Sequence, residues 1–253
     1  MSRIAIVAAL EREVRPLVKS WRVSEREFDG RRFRFFEKDD VVLVCGGIGA
    51  QAARRVAEAV ISLYAPQVVS SVGFAGALGS ELKVADIIQP LRVVNASDCS
   101  SVTLARGEGV LVTLGSVASP EQKAKLRDSF AAQAVDMEAA AVARAAEARG
   151  VRFAVVKVIS DEFDFNLPAI FPSTERFVDA NGQFLEGRFA WFAAFRPWLW
   201  PQIARLARNS GRASRALCDW LSGDGLRRLD AASTSTSSDT PTLQAVNRPV
   251  YRQ

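Results

Sequence analysis

Three acidic residues stand where a carboxylate could take part in chemistry: Glu13, Glu138 and Asp161. The chain contains no histidine, which excludes a Ser-His-Asp triad, a Cys-His dyad, a histidine-ligated metal and acid–base catalysis by imidazole. Any proton transfer must therefore fall to Asp, Glu, Lys, Tyr or Cys. The three acids are the first candidates for that work.

Each acid also has an ordinary structural interpretation. Glu13 fits a solvated position on an amphipathic helix, and Asp161 fits the cap of a turn after a buried strand. Asp136 fits the N-cap of an alanine-rich helix, which would put Glu138 in a first turn whose dipole favours negative charge. Spacing alone leaves both interpretations open for each acid.

Apolar strand-like segments alternate with helical ones over the first 160 residues of the 253. Strands are predicted at 3–9, 32–36, 41–45, 67–72, 84–89, 109–114 and 153–160, and helices at 11–21, 50–64, 120–130 and 137–149. The alternation predicts a three-layer α/β domain with a central mixed sheet. Because ligands of such sheets bind beyond the carboxyl ends of the strands, the acids and glycine loops found there are candidate site residues.

The composition limits the partners and the compartment. The net charge of +5 is modest for this length and does not indicate nucleic acid. Cys45, Cys99 and Cys218 are far apart and form neither a metal-binding pair nor a disulfide framework, which favours a reducing cytoplasm. No signal peptide and no membrane-spanning run is expected.

The character of the chain changes after Asp161, which suggests three regions: a catalytic-type domain at 1–187, a basic and aromatic helical extension at 188–230, and a disordered tail at 231–253. Residues 188–215 contain six arginines and no acid, with Phe and Trp between them. One hypothesis is a peripheral membrane contact through 188–221. The alternative is an amphipathic helix packed on the domain or on a second subunit.

Six segments occur together in one order: ALEREV (9–14), GGIGA (46–50), GFAGAL (73–78), VADII (84–88), VDMEAAAVA (135–143) and VKVISDEFDF (156–165). Together they resemble the purine nucleoside phosphorylase / methylthioadenosine–adenosylhomocysteine nucleosidase superfamily over roughly residues 3–165. The resemblance implies the three-layer fold of that superfamily, cleavage of an N-glycosidic bond, no metal or other cofactor, and a homodimer.

By position, the resemblance implies a role for each candidate acid. Asp161 matches the acid that serves N7 of the leaving base, and Glu13 matches the general base that activates water in the hydrolases. Glu138 matches the carboxylate that binds the ribose hydroxyls, and Met137 matches the side chain that packs against the sugar and base. The remaining substrate-binding positions carried over are Gly49, Ala75, Gly76, Lys157 and Ser160.

Two features choose within the superfamily. Asp rather than Asn at 161 favours an adenine leaving group, by resemblance to members that act on 6-amino purines. Glu13 without a clear arginine clamp favours water over phosphate, since a carboxylate repels a dianion. The resulting expectation is an adenine nucleosidase, with a phosphorylase as the alternative and a non-catalytic nucleoside- or membrane-binding protein as the alternative of another class. The VDME segment at 135–138, the short segment between the strands at 84–89 and 109–114, and the tail at 197–221 together resemble the hopanoid-associated branch, which implies an adenosylhopane-like substrate.

Overall fold

A computed structural model describes residues 4–167, 177, 179 and 184–234. The strands are β1 (Ile4–Ala8), β2 (Arg22–Phe28), β3 (Arg31–Lys38), β4 (Val41–Cys45), β5 (Val68–Ala77), β6 (Ile87–Ile88), β7 (Arg92–Asn95), β8 (Ser101–Thr103), β9 (Val110–Thr113), β10 (Ala134–Asp136) and β11 (Arg152–Asp161). The helices are α1 (Glu11–Val18), α2 (Ala50–Tyr64), α3 (Pro120–Phe130), α4 (Ala139–Glu147), α5 (Glu186–Ala194), α6 (Trp200–Trp220) and α7 (Leu226–Ala232). The part of the predicted disordered tail beyond residue 234 lies outside the described residues.

The strands form one mixed sheet in the order β2-β3-β4-β1-β5-β10-β9-β7-β8, with β11 and β6 branching from β5. Strand β11 runs parallel along β5 from Val68 to Gly76. The other edge of β5 is shared, because β1 pairs with its beginning and β10 pairs with Gly76 and Ala77 at its end. Between these two pairings β5 is open, and the crevice formed there is the kind of switch point where ligands bind.

Apolar side chains cover both faces of the central strands. In β1, Ala5 and Val7 pack into a core beneath α2 and α4, whereas Ile4, Ile6 and Ala8 pack into a second core beneath α1 and α6. A strand buried on both faces has no polar side to alternate with, which explains the continuous apolar sequence of this segment. The predicted three-layer α/β fold is confirmed.

The helix α6 is part of the second core. Its residues Ala213 and Leu217 are fully buried, and the helix lies against α1 and β11. The amphipathic pattern of the segment thus has a packed face, as one of the two interpretations expected. Division of the chain at residue 187 stays a prediction. No helix in the described ranges is both long and apolar enough to cross a membrane.

The strand β2 was not predicted from the sequence. It forms a hairpin with β3 through Asp29 and Gly30, which both adopt positive φ angles of 51° and 70°. An Asp-Gly pair is a strong hairpin signal because the turn requires this left-handed backbone. Most of β2 is exposed and charged, so the alternation that normally reveals a strand is missing.

Candidate active site

The three candidate acids come together in one cavity at the carboxyl ends of the strands. Glu13 lies on α1 just after β1, Glu138 follows β10, and Asp161 ends β11. All three line the same cavity, and each is at least nine-tenths buried. The order of the sheet explains the meeting, because β1, β10 and β11 all pair with β5 around its open stretch.

Glu13 is buried at the cavity wall, and Lys157 and Arg12 offset only part of the cost of its charge. Its side chain is 5% exposed, and its Oε2 atom has no hydrogen-bond partner among the described residues. Burial, and next the charge of Glu138, raise the pKa of Glu13 to about 7. Gly73 allows the close approach, because a Cβ atom at that position would stand 2.6 Å from Oε2. A carboxylate with such a pKa is suited to act as a base near neutral pH.

Glu138 is oriented by backbone donors. Its Oε1 atom accepts a hydrogen bond of 2.9 Å from the N–H of Gly49, and its Oε2 atom accepts one of 3.3 Å from the N–H of Met137. Burial raises the pKa of Glu138 to about 7, although Lys157 and these two donors oppose the rise. Glu138 precedes α4 rather than lying in its first turn, and its side chain faces the glycine loop. The loop at 46–49 therefore positions a carboxylate.

Asp136 and Lys157 form a buried ion pair behind Glu138. Lys157 Nζ lies 2.9 Å from Asp136 Oδ2, and Thr113 Oγ1 donates a hydrogen bond of 2.6 Å to Oδ1. Asp136 Oδ2 also accepts the N–H of Ala139 at 2.8 Å. The prediction of Asp136 as the N-cap of this helix is wrong, because Asp136 ends β10 and Glu138 occupies the N-cap position. Burial lowers the pKa of Lys157, but Asp136 and Glu138 outweigh it and the net pKa is raised. Lys157 is thus a charged support for the two acids.

Asp161 is bound by a lysine that the sequence analysis did not single out. Lys123, on α3, places Nζ 2.5 Å from Asp161 Oδ2 and 2.8 Å from the carbonyl oxygen of Glu162. Ser160 Oγ donates a hydrogen bond of 2.9 Å to Oδ1. Gly76 leaves room for this group, because a Cβ atom there would stand 2.7 Å from Asp161 Oδ2. A lysine on a polar helix normally extends into solvent, so its sequence carried no sign of this contact.

The structure differs from the expected set of lining residues at two positions. The predicted residues that line the cavity are Glu13, Ala75, Gly76, Met137, Glu138, Ser160 and Asp161. Gly49 and Lys157 belong to the described part of the chain but are not in the lining, since they contact the acids from behind. Both were predicted as substrate-binding residues, and that role stays a prediction; in the structure Gly49 contacts Glu138 and Lys157 contacts Asp136.

Apolar side chains form much of the remaining wall. Several of these apolar residues were not predicted as site residues from the sequence: Leu10, Ile48, Val117, Leu167, Phe177, Phe184 and Leu206. The ring of Phe177 contacts Phe189 and Phe192 of α5 at centroid distances of 5.6 and 5.1 Å. The C-terminal segment therefore closes one side of the cavity, which the separation of the two regions in the sequence did not indicate.

The helix α6 also holds the elements that carry the acids. Ser214 Oγ donates a hydrogen bond of 3.2 Å to the carbonyl oxygen of Arg12, and Cys218 Sγ lies 3.7 Å from that of Glu13. Arg205 forms a 2.8 Å ion pair with Glu162, the residue after Asp161. Among the residues described, no group of three or more Cys, Asp or Glu side chains is arranged to hold a metal ion.

Comparison with known proteins gives a consistent result. A 5′-methylthioadenosine/S-adenosylhomocysteine nucleosidase of Marinomonas sp. (strain MWYL1) is 29% identical over 204 residues, which cover 64% of this chain and 86% of that protein. An aminodeoxyfutalosine nucleosidase of Campylobacter jejuni is 25% identical over 208 residues, or 66% and 91% of the two chains.

Solved structures agree with the fold. A methylthioadenosine/adenosylhomocysteine nucleosidase of Colwellia psychrerythraea 34H, in complex with adenine, has a TM-score of 0.56 at 25% identity and covers 64% of this chain and 84% of its own. One from Helicobacter pylori, with butyl-thio-DADMe-Immucillin-A, has a TM-score of 0.61 at 20% identity and covers 88% and 98%. The sequence profile of the phosphorylase superfamily matches residues 3–108 and 102–185. This chain therefore belongs to the phosphorylase superfamily.

Proposed function

We propose that this protein is an N-ribohydrolase that releases adenine from a 5′-substituted adenosine. The observation that carries the proposal is the meeting of Glu13, Glu138 and Asp161 in one buried cavity. The family membership and the similarity to a 5′-methylthioadenosine/S-adenosylhomocysteine nucleosidase also support cleavage of an N-glycosidic bond. No step needs a histidine.

The chemistry assigns different tasks to Glu138 and Glu13. Cleavage of the N-glycosidic bond passes through a ribosyl cation while negative charge builds on the departing purine. Glu138, fixed by two backbone donors, would accept hydrogen bonds from the ribose hydroxyls and stabilise the cation more than the ground state. Glu13 would take a proton from the attacking water, and its pKa of about 7 leaves it partly ionised at neutral pH.

Water is favoured over phosphate by the charge of the cavity. A phosphate dianion would stand beside Glu13 and Glu138, whose mutual repulsion already contributes to the raised pKa of Glu13. Arg12 is the one arginine among the described lining residues, and its guanidinium lies over the ring of Phe184 at 5.2 Å. A phosphorylase of the same superfamily remains the alternative.

The apolar wall favours an apolar 5′ substituent. Phe177, Phe184 and Leu206 offer neither a charged nor a strongly polar partner for a 5′ group. We propose a methylthio group or a larger hydrocarbon there, with an adenosylhopane-like nucleoside as the bulky extreme. An amino acid as charged as homocysteine fits this wall less well.

Adenine release from methylthioadenosine, adenosylhomocysteine and a 5′-alkyl adenosine, each with and without phosphate, tests the function. We expect phosphate-independent release, abolished in Glu138→Gln and retained in Glu147→Gln, which changes an exposed acid on α4. Strict phosphate dependence would establish the phosphorylase instead. A folded protein that binds these nucleosides and releases no adenine would be a binding protein.

We also propose a peripheral contact with an anionic membrane surface. Trp191, Phe195, Trp198 and Trp200 are 56–68% exposed, and they lie at α5 and the start of α6 in a stretch without acids. The aromatic rings of this surface would insert among the lipid headgroups, and the nearby arginines would form ion pairs with the anionic headgroups. The same segment covers the cavity, so an apolar substrate could reach the site from the membrane.

Co-sedimentation with vesicles of phosphatidylglycerol and phosphatidylcholine tests this contact. We expect binding that weakens with salt and is lost in Trp191→Ser/Trp198→Ser, but persists in Val23→Ser, which changes an exposed apolar residue on β2. If the double variant binds as well as the wild type, the contact is refuted. If the double variant instead changes the oligomeric state in solution, the surface joins subunits.

The homodimer and the cytoplasmic location are proposals too. The family resemblance of the sequence implies the first, and the free cysteines motivate the second. Light scattering of the purified chain tests the oligomeric state, and a monomer at micromolar concentration would refute the homodimer.

A further inference from the structure

The Lys123–Asp161 pair is a buried charge pair inside the candidate active site. Lys123 is 1% exposed and Asp161 is 3% exposed, and both line the cavity. A buried pair of this kind adds little to stability compared with apolar residues of similar size. Its presence at the cavity wall therefore calls for a functional explanation.

The hydrogen bonds around Asp161 treat it as an acceptor on both oxygens. Oδ2 accepts from Lys123 Nζ at 2.5 Å, and Oδ1 accepts from Ser160 Oγ at 2.9 Å. Ser160 Oγ also lies 3.4 Å from the carbonyl oxygen of Ala75, and its one hydrogen can serve only one of these two acceptors. The ammonium group of Lys123, which points a hydrogen directly at Oδ2, is therefore the nearest supply of a proton for Asp161.

Lys123 is placed to pass that proton on. Its ammonium group has three hydrogens, and the described residues use two of them, for Asp161 Oδ2 and the carbonyl oxygen of Glu162. The helix that carries it is fixed by a capping box at Ser119 and Gln122. The contact with Oδ2 is a charge-assisted hydrogen bond, so one hydrogen of the ammonium group points directly at the carboxylate.

Given the proposed nucleosidase function, we infer that Lys123 supplies the proton that N7 of adenine takes up, through the carboxylate of Asp161. The proton moves from Nζ to Oδ2 and from Asp161 to N7, while the C1′–N9 bond breaks and its electron pair goes to the purine. Glu13 takes one proton from the water whose oxygen bonds to C1′. Solvent then reprotonates Lys123 and removes the proton from Glu13, so the enzyme returns to its starting state.

A comparison of two leaving groups tests this role. Adenine must be protonated as it departs, whereas 4-nitrophenolate leaves as a stable anion. The substrates are methylthioadenosine and the 4-nitrophenyl glycoside of 5-methylthioribose. The variants are Lys123→Met and, as the matched control, Lys125→Met, which changes an exposed lysine on the same helix.

We expect Lys123→Met to lower kcat/KM for adenine release about 100-fold or more and to leave nitrophenolate release within about threefold of the wild type. Lys125→Met should leave both unchanged. Equal losses on both substrates, or unchanged adenine release, would overturn the inference. If Lys123→Met does not fold, Lys123→Gln keeps a hydrogen-bond donor without a transferable proton and must show the same selective loss. A wild-type protein that is folded but releases no adenine from any nucleoside would instead refute the proposed function.

Discussion

Replacement of Glu13 by Gln should stabilise the protein at alkaline pH. The carboxylate of Glu13 is buried, its Oε2 atom has no hydrogen-bond partner among the described residues, and Glu138 repels it. All of these disfavour the charged form in the folded state, whereas the unfolded chain exposes the group to water. Ionisation of Glu13 therefore lowers the free energy of unfolding, and a neutral amide at this position avoids that loss.

The size and the sign of the effect follow from the pKa. Burial and Glu138 raise the pKa from 4.5 to about 7. At about 1.4 kcal/mol for each pH unit, this shift corresponds to about 3 kcal/mol. Because the folded state binds the proton more tightly, the contribution of Glu13 to stability is most favourable below pH 4.5 and becomes less favourable as pH rises to about 7. The advantage of Glu13→Gln should thus be about 3 kcal/mol at pH 8 and less than ~1 kcal/mol at pH 5.

Urea unfolding of both proteins at pH 5 and pH 8 measures this difference. An unpaired amide in the same place adds a constant penalty, so the change with pH is the quantity to compare rather than the stability at one pH. Glu27→Gln, an exposed acid on β2, serves as the control and should show no such change. If Glu13→Gln changes the free energy of unfolding by the same amount at pH 5 and pH 8, then burial and the charge of Glu138 do not raise the pKa of Glu13, and the explanation is refuted.

Three further predictions concern the same cavity. Gly76→Ala should lower kcat for adenine release at least about tenfold with little change in folding, because its Cβ atom would stand 2.7 Å from Asp161 Oδ2; steady-state kinetics and circular dichroism check this. Lys157→Met should destabilise the protein by about 3–5 kcal/mol in urea unfolding, because Asp136 would keep a buried charge without its partner. The kcat/KM of the wild type should fall about tenfold for each pH unit below about 7, as Glu13 takes up a proton; a flat profile from pH 5 to 8 would contradict its role as base.

The sequence was informative wherever a residue's neighbours along the chain determine its surroundings. Glu13 and Asp161 lie at the ends of strands that an apolar run reveals, and strands of an α/β sheet bring their carboxyl ends together. The short strand β10 before Glu138 was not predicted, and the place of Glu138 came from the family resemblance. The position of these acids could therefore be predicted before any coordinates. The glycine at 76 was predicted as part of the site, although its reason, room for a buried ion pair, needed the structure.

Other features depend on contacts between distant segments and left no local trace. Lys123 looks like a surface lysine in its own helix, and its burial arises from the meeting of α3 with the end of β11. Leu206 reaches the cavity from the extension at 188–230, which composition set apart from the catalytic-type domain. Lys157 was expected at the substrate, but a neighbouring acid, Asp136, holds it behind the wall. In each case the tertiary partner decides the role of the side chain.

The contacts of α6 with the beginning of the chain have a consequence for biosynthesis. Ser214 and Cys218 meet the backbone of α1 across more than 200 residues of sequence, and Thr234 bonds to Phe153 of β11. During translation the helix with Glu13 emerges early, but the surface that fastens it emerges near the end. A ribosome that stops before α6 releases a polypeptide in which the helix with Glu13 lacks these contacts, so we expect the proposed activity only from chains that have been synthesised through α6 and α7.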